Sequence, residues 1–413
     1  MVTCVTIAPL REKTVIAPAN LVARIRRLRR VAASVFAAVS AASQLPGQTR
    51  TIRVPSKILG EDRIVHLSLP PNYALGKQRY QVTYLLDGHV RQFFDLTVAA
   101  AGYDLTGDPH DYATPPQIVV GIDQRDRATD LSRNQDVFMR FLTGELVPFI
   151  DREYRTTGYR TLIGHSLGGR FALMTFCRAP NVFPAVIAIS AAGGDSTLDA
   201  ITSCLASAFA SHGTALRQLV LSAGDREPRV HASVEHLGAY LREKAPSNWR
   251  WTIVDGMGLG HTETPLATIP PGIRFIHDKS VWEMPPALAD SILDGRTDAE
   301  RAIATFYEGL SARVGSTVAP SLKWMLTAAR VHLRLHDGEA ERAAKRLVAA
   351  YPEDLEGYGI LADLALKRDD SAAARQALYD ARRMLDRLEL HDAYERERKR
   401  KFIDDALASI PRT

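Results

Sequence analysis

Ser166 stands between two glycines in the run Leu162-Ile163-Gly164-His165-Ser166-Leu167-Gly168-Gly169. An apolar segment, Tyr159 to Ile163, stops at Gly164, and an apolar helical pattern resumes at Phe171. A serine held in so tight a strand-to-helix turn leaves almost no room two residues away on either side, so glycine is the residue that fits there. The turn lifts the hydroxyl clear of the strand. It also puts the Leu167 N–H at a helix N-terminus, where it can stabilise an oxyanion. The chemistry that suits this arrangement is attack on a carbonyl by an activated serine.

Such a hydroxyl needs a base and an acid, and with an elbow of this kind the chain order is serine, acid, histidine. His261 is the candidate base, in Gly256-Met257-Gly258-Leu259-Gly260-His261-Thr262-Glu263-Thr264-Pro265, just after the last predicted strand. His231 and His236 sit on a helical segment and His212 in a loop before a strand; all three read as surface or packing residues. His165, beside the nucleophile, is read as a support for the elbow. The acid is expected in Ala223-Gly224-Asp225-Arg226-Glu227-Pro228, where two carboxylates compete. Glu227 lies deep enough in the loop to turn towards His261 and is preferred. Asp225 is the alternative, and otherwise a turn residue or a partner for Arg226. The second oxyanion donor is expected from Asp87-Gly88-His89, through the His89 N–H. No Cys/His spacing resembles a metal site.

These residues need a frame. Arg53 to Leu59 and Arg63 to Leu69 read as a hairpin around Gly60-Glu61-Asp62, and Pro70-Pro71-Asn72-Tyr73 as a turn. Buried strands are predicted over 82–86, 117–122, 186–190, 218–222 and 249–254, with an amphipathic helix from about Asp136 to Tyr154. Strands alternating with helices predict an α/β fold, a doubly wound, mainly parallel sheet. Chemistry in such sheets gathers at the carboxyl ends of strands. Asp87-Gly88, Ser166, Gly224 to Glu227 and Gly256 to His261 all fall there. The stretch Ala191 to Ala215, rich in Ser, Gly and Ala, is expected to roof the pocket.

The chain has 413 residues, comfortable for two domains, and a net charge of +5. Residues 1–43 carry seven basic side chains against Glu12, so the remainder is close to neutral and no nucleic-acid groove is implied. That leader has the layout of an export signal: a basic block, Arg24 to Arg30, then the apolar run Val31 to Val39, then small residues. The run is too short to span a bilayer, and the expected destination is the periplasm or the exterior. Cys177 reads as a small buried apolar residue; a Cys177–Cys204 disulfide is allowed in an exported protein. The α/β domain is expected over 51–283. From 287 to 413 the periodicity is helical throughout, with a 34-residue repeat that aligns Trp324 with Tyr358, Ala328 with Ala362, Ala340 with Ala374 and Ala344 with Leu378. The spacing resembles the tetratricopeptide repeat, and flanking helices are expected to cap the two units. The run Glu395 to Lys401 reads as a solvated helix face.

From about Thr51 to Ile276 the chain resembles the esterase branch of the α/β-hydrolases that includes the enterobactin and salmochelin esterases and relatives of esterase D. The likeness rests on separated pieces: Arg63 to Tyr73, Tyr84-Leu85-Leu86-Asp87-Gly88, Val120-Gly121-Ile122 with Arg127 and Asp130, Glu145 to Asp151 with Tyr154-Arg155-Thr156, Gly164 to Gly169, and His261 with Pro265. The resemblance implies hydrolysis of a small carboxylic ester through an acyl-serine, without a cofactor. It makes Ser166 the nucleophile and His261 the base, with His89 and Leu167 as oxyanion donors; Arg127 and Asp130 match positions near the cleft. The reading is an exported, two-domain serine esterase acting on siderophore-type or other small esters. Two rivals are acyl transfer to an acceptor other than water, and a binding scaffold whose helical repeats engage a protein partner.

Overall fold

The computed structural model describes residues 49–102, 114–191, 195–211, 213–335, 338–390 and 393–411. The leader and His212 lie outside the described residues. Eight strands form one sheet: β1 (Thr49–Ser56), β2 (Glu61–Ser68), β3 (Tyr80–Leu86), β4 (Gln117–Ile122), β5 (Thr156–His165), β6 (Ala185–Ile189), β7 (Arg217–Gly224) and β8 (Trp249–Gly256). Their spatial order is β1-β2-β4-β3-β5-β6-β7-β8. The β1–β2 hairpin joins β4 antiparallel, and every pairing from β4 to β8 is parallel. The fold is that of an α/β-hydrolase followed by a helical region.

The central strands are apolar runs because both their faces are covered. Successive side chains take opposite faces. Val82, Tyr84 and Leu86 enter one core together with α2 (Gln135–Phe141), α3 (Val147–Glu153), α4 (Leu167–Arg178), α5 (Asp195–Ser211) and α6 (Pro228–Lys244). Leu85, Ile163, Ile187 and Val220 enter the other, against α1 (Arg91–Ala100) and α7 (Thr264–Ile276).

The helix expected over Asp136 to Tyr154 runs from Gln135 to Glu153 and contains a wider, π-helical turn at Leu142–Leu146, with Pro148 withholding a donor just beyond it. Glu145 in that turn accepts the Lys57 and Ile58 N–H groups at 3.0 and 3.2 Å and so closes the β1–β2 hairpin. Of the stretch Ala191 to Ala215, expected to roof the pocket, residues 192–194 and 212 lie outside the described residues, and most of the rest forms α5, a crossover helix that buries Ile201, Leu205 and Ala208. Cys177 is not a free apolar residue: it is disulfide-bonded to Cys204, with Cα atoms 5.8 Å apart, tying α4 to α5.

Helix α7 carries the chain from the carboxyl ends of the strands back to their starts, a run of about 20 Å for 13 residues. The helical region therefore begins there, with α8 (Lys279–Trp282), α9 (Pro286–Leu293) and α10 (Ala299–Val314). Trp282, Met284, Ile292, Ile303 and Leu310 share one core with Tyr159, Ile187 and Leu216, so no gap in packing marks residues 283–287. Two helix pairs follow, α11 (Leu322–Leu335) with α12 (Ala340–Ala350) and α13 (Glu356–Lys367) with α14 (Ser371–Arg387); α15 (Ala393–Ser409) packs on the last. Trp324, Tyr358, Ala328, Ala362, Ala340, Ala374, Ala344 and Leu378 are all buried.

The helical region meets the sheet at the starts of strands. The Leu216 N–H donates to the Arg313 carbonyl at 2.8 Å, and Ser316 Oγ to the Thr157 carbonyl at 2.5 Å. Gln78 Nε2 donates to Glu353 Oε1 at 2.7 Å, and the Glu389 N–H to Asn72 Oδ1 at 2.8 Å.

Candidate active site

Three neighbouring strands, β3, β5 and β6, each run directly into a non-glycine residue with positive φ: Asp87 (58°), Ser166 (57°) and Ser190 (47°). Such conformations cost about 1–3 kcal/mol each and persist where the surroundings over-determine them. All three lie at the carboxyl edge of the sheet. At Ser166 the chain turns straight from β5 into α4, and a Cβ on Gly164 would lie 2.2 Å from the Gly168 carbonyl oxygen. Glycine is the residue that allows this approach.

Leu167 is the first residue of α4, so its N–H has no place in the helical ladder. The His89 N–H, in the turn closed by the Val90 N–H on the Asp87 carbonyl at 2.9 Å, has no acceptor among the described residues. Ser166 Oγ makes no hydrogen bond among the described residues. Catalytic hydrogen bonds are often long before substrate binds.

His261 lies beside the elbow. Its Nδ1 is 3.0 Å from Glu227 Oε2, and its ring centre 4.5 Å from that of His165. The Glu227 side chain is 7% exposed and that of His261 44%, a buried acid behind an accessible imidazole. With the carboxylate accepting Nδ1–H, the neutral ring keeps its lone pair on Nε2. The other oxygen, Oε1, accepts the Ser190 hydroxyl at 3.1 Å. Asp225 faces elsewhere: its Oδ1 accepts the Gly258 N–H at 2.9 Å, bracing a turn in which Gly258 has φ 77°. Glu263 braces the same loop on the Gly260 N–H at 2.8 Å. A Cβ on Gly224 would lie 2.2 Å from the Leu259 carbonyl oxygen, so the acid loop and the histidine loop touch through their backbones. His231 and His236 lie on α6; the His231 N–H donates to the Glu227 carbonyl at 2.8 Å, but among the described residues neither imidazole bonds to this cluster.

Two groups assigned no role by the sequence belong to the site. Ser190 is one; read as strand, it gave no signal of its turn. Arg127 is the other. It grips Asp87 with Nε on Oδ1 at 2.7 Å and Nη2 on Oδ2 at 3.0 Å, and Nη2 also donates to the His165 carbonyl at 2.8 Å. Gln124 Oε1 takes the Asp87 N–H at 2.9 Å. The β3 turn and the elbow are thereby tied together. Asp130 is not at the cleft: it pairs with Arg63 through two 2.8 Å bonds in the core, a structural role. Burial, followed by repulsion from His261, pushes the His165 imidazole down to about 4, so its ring is neutral at working pH. Among the described residues no three His, Cys, Asp or Glu side chains converge as metal ligands, and no helix is long and apolar enough to cross a membrane.

Residues 56–260 match the family described as "Putative esterase". Over 141 residues the chain is 35% identical to an uncharacterized protein of Bacillus subtilis (strain 168), YjcH, covering 32% of this chain and 57% of that one. The match thus spans little more than half of that relative's length. An IroE-like serine hydrolase from Shewanella oneidensis superposes with a TM-score of 0.56 at 20% identity, covering 73% of this chain and 98% of that one. A protein from Capnocytophaga ochracea DSM 7271 superposes with a TM-score of 0.55 at 16% identity, covering 88% of this chain and all of that one. Its coverage takes in part of the helical region as well as the sheet. At these identities both structures speak to the fold alone.

Proposed function

Because the chain belongs, through residues 56–260, to the esterase family of the α/β-hydrolases, we propose that it hydrolyses small carboxylic esters by way of an acyl-serine. Ser166 Oγ attacks the ester carbonyl as His261 Nε2 takes its proton. Glu227 holds Nδ1–H and stabilises the imidazolium that forms. The oxyanion rests on the Leu167 and His89 N–H groups. His261 then returns the proton to the leaving alcohol, and a water, deprotonated by the same nitrogen, releases the acid and restores the hydroxyl.

One observation carries this reading. A buried carboxylate and an imidazole lie 3.0 Å apart, and that imidazole is 4.5 Å, ring centre to ring centre, from His165, the neighbour in sequence of a serine at φ 57°. Siderophore-type esters are among the substrates to be screened. The proposal includes export, in keeping with the Cys177–Cys204 bond, since disulfides persist in oxidising compartments. It also includes a tetratricopeptide-like role for α11 to α14 in holding a protein partner.

The test is reaction with a fluorophosphonate probe, together with turnover of a p-nitrophenyl ester. Wild type should label and turn over, and Ser166→Ala should do neither while keeping its circular dichroism and melting temperature. A Ser166→Ala protein with full activity would sink the mechanism.

A further inference from the structure

His165 is bound at both ends of its residue. Its carbonyl accepts Arg127 Nη2 at 2.8 Å, and the same guanidinium grips Asp87 at the turn that offers the His89 N–H. Its ring is wedged between Phe93, edge-on at 5.8 Å, and His261 at 4.5 Å. Nε2 lies 2.8 Å from the backbone carbonyl of His261. A carbonyl only accepts, so Nε2 must carry a hydrogen and donate it.

We infer that His165 is a positioning residue: its Nε2–H holds the backbone of His261 and so sets the place of the catalytic imidazole beside Ser166. This rests on the serine-esterase reading above. The His261 loop has its own braces, Asp225 on Gly258 and Glu263 on Gly260, but both act on residues before the histidine. Among the described residues, His165 alone ties residue 261 itself to the elbow by a hydrogen bond. Because its ring is neutral, it can lie against His261 when that imidazole takes up a proton, without adding a second positive charge. A residue next to the nucleophile in sequence is thus linked in space to the base and, through Arg127, to the oxyanion turn.

Two substitutions separate the donor from the ring. His165→Phe keeps an aromatic ring against Phe93 and removes the donor; His165→Gln keeps an N–H of similar reach and removes the ring. The readouts are the second-order rate of fluorophosphonate labelling and the division of an aryl-ester defect between kcat and KM, on protein whose folded fraction is known from its melting curve. The Phe variant should lose about 10- to 100-fold in labelling rate and kcat, the scale of a small misplacement of a catalytic group, with KM little changed. The Gln variant should recover most of it. A folded Phe variant that labels at the wild-type rate overturns the inference, as does a Gln variant no better than Phe. Should Phe fail to fold, His165→Ala takes its place with the same expectations. A wild type that does not label overturns the serine reading, and this inference with it; a labelled wild type with an unimpaired variant overturns this inference alone.

Discussion

Glu227 uses one carboxylate oxygen on His261 and the other on Ser190, and that division separates it from Asp225 two residues earlier. An amide in place of the carboxylate can present N–H to Nδ1 and so favour the wrong tautomer of the imidazole. Glu227→Gln is therefore expected to lower kcat for an aryl ester by about 10²- to 10⁴-fold with the fold intact. Asp225→Asn keeps an oxygen for the Gly258 N–H and should cost about tenfold or less, the scale of one neutral hydrogen bond. Steady-state kinetics of the two variants decide the matter; the reverse order of effects would make Asp225 the acid. Spacing favours Glu227, three residues past Gly224, but leaves Asp225 as an alternative. Which carboxylate faces the imidazole depends on how the loop after β7 meets Leu259, a contact between segments far apart in sequence.

Helices α4 and α5 are joined by the Cys177–Cys204 bond, which closes a separation of 27 residues. Breaking it with Cys204→Ser or with thiol should lower stability by about 2–4 kcal/mol, read as a lower melting temperature, while kcat for the folded enzyme changes little. An unchanged melting temperature would mean the two helices are held by packing alone. This bond also shows what the sequence could and could not carry at the level of elements. Strand β4 coincides with the apolar run Gln117 to Ile122, and β5 outruns the segment Tyr159 to Ile163 because polar Thr156 still pairs in the ladder with β3. Buried parallel strands announce themselves in this way. Helix α5 carried a usable signal in Ile201, Leu205 and Ala208, spaced as one helical face, within the small-residue stretch expected to roof the pocket. The disulfide, the wide turn at Leu142–Leu146 and the positive φ of Ser190 arise from how distant segments meet, and no local pattern encodes them. Ser166 was legible because its constraint is local: two glycines, a strand and a helix within a dozen residues.

Across the whole molecule, the edge that carries Ser166 and His261 and the helical region occupy opposite ends of the strands. The contact between them half-buries Glu353, whose Oε1 accepts Gln78 Nε2 and whose buried Oε2 has no side-chain or ladder partner among the described residues. Burial raises this carboxyl above its ordinary value; its own backbone N–H and the Gln78 bond oppose the rise, and smaller contributions from Asp354 and Arg155 act in opposite directions. The folded chain thus holds the Glu353 proton to higher pH than the unfolded chain does. Its cost to stability is absent below the ordinary glutamate range and grows as pH rises through the raised value. Glu353→Gln should accordingly melt higher than wild type at pH 7 to 8, and the difference should shrink as the pH is brought towards 4. A difference that stays constant across that range would show that the charge carries no penalty.

That placement has a practical side. Whatever grasps the last helices, whether a resin, a tag or another protein, takes hold of the enzyme from behind. The working mouth is then left facing outward, and bulky molecules can reach it without passing the anchor.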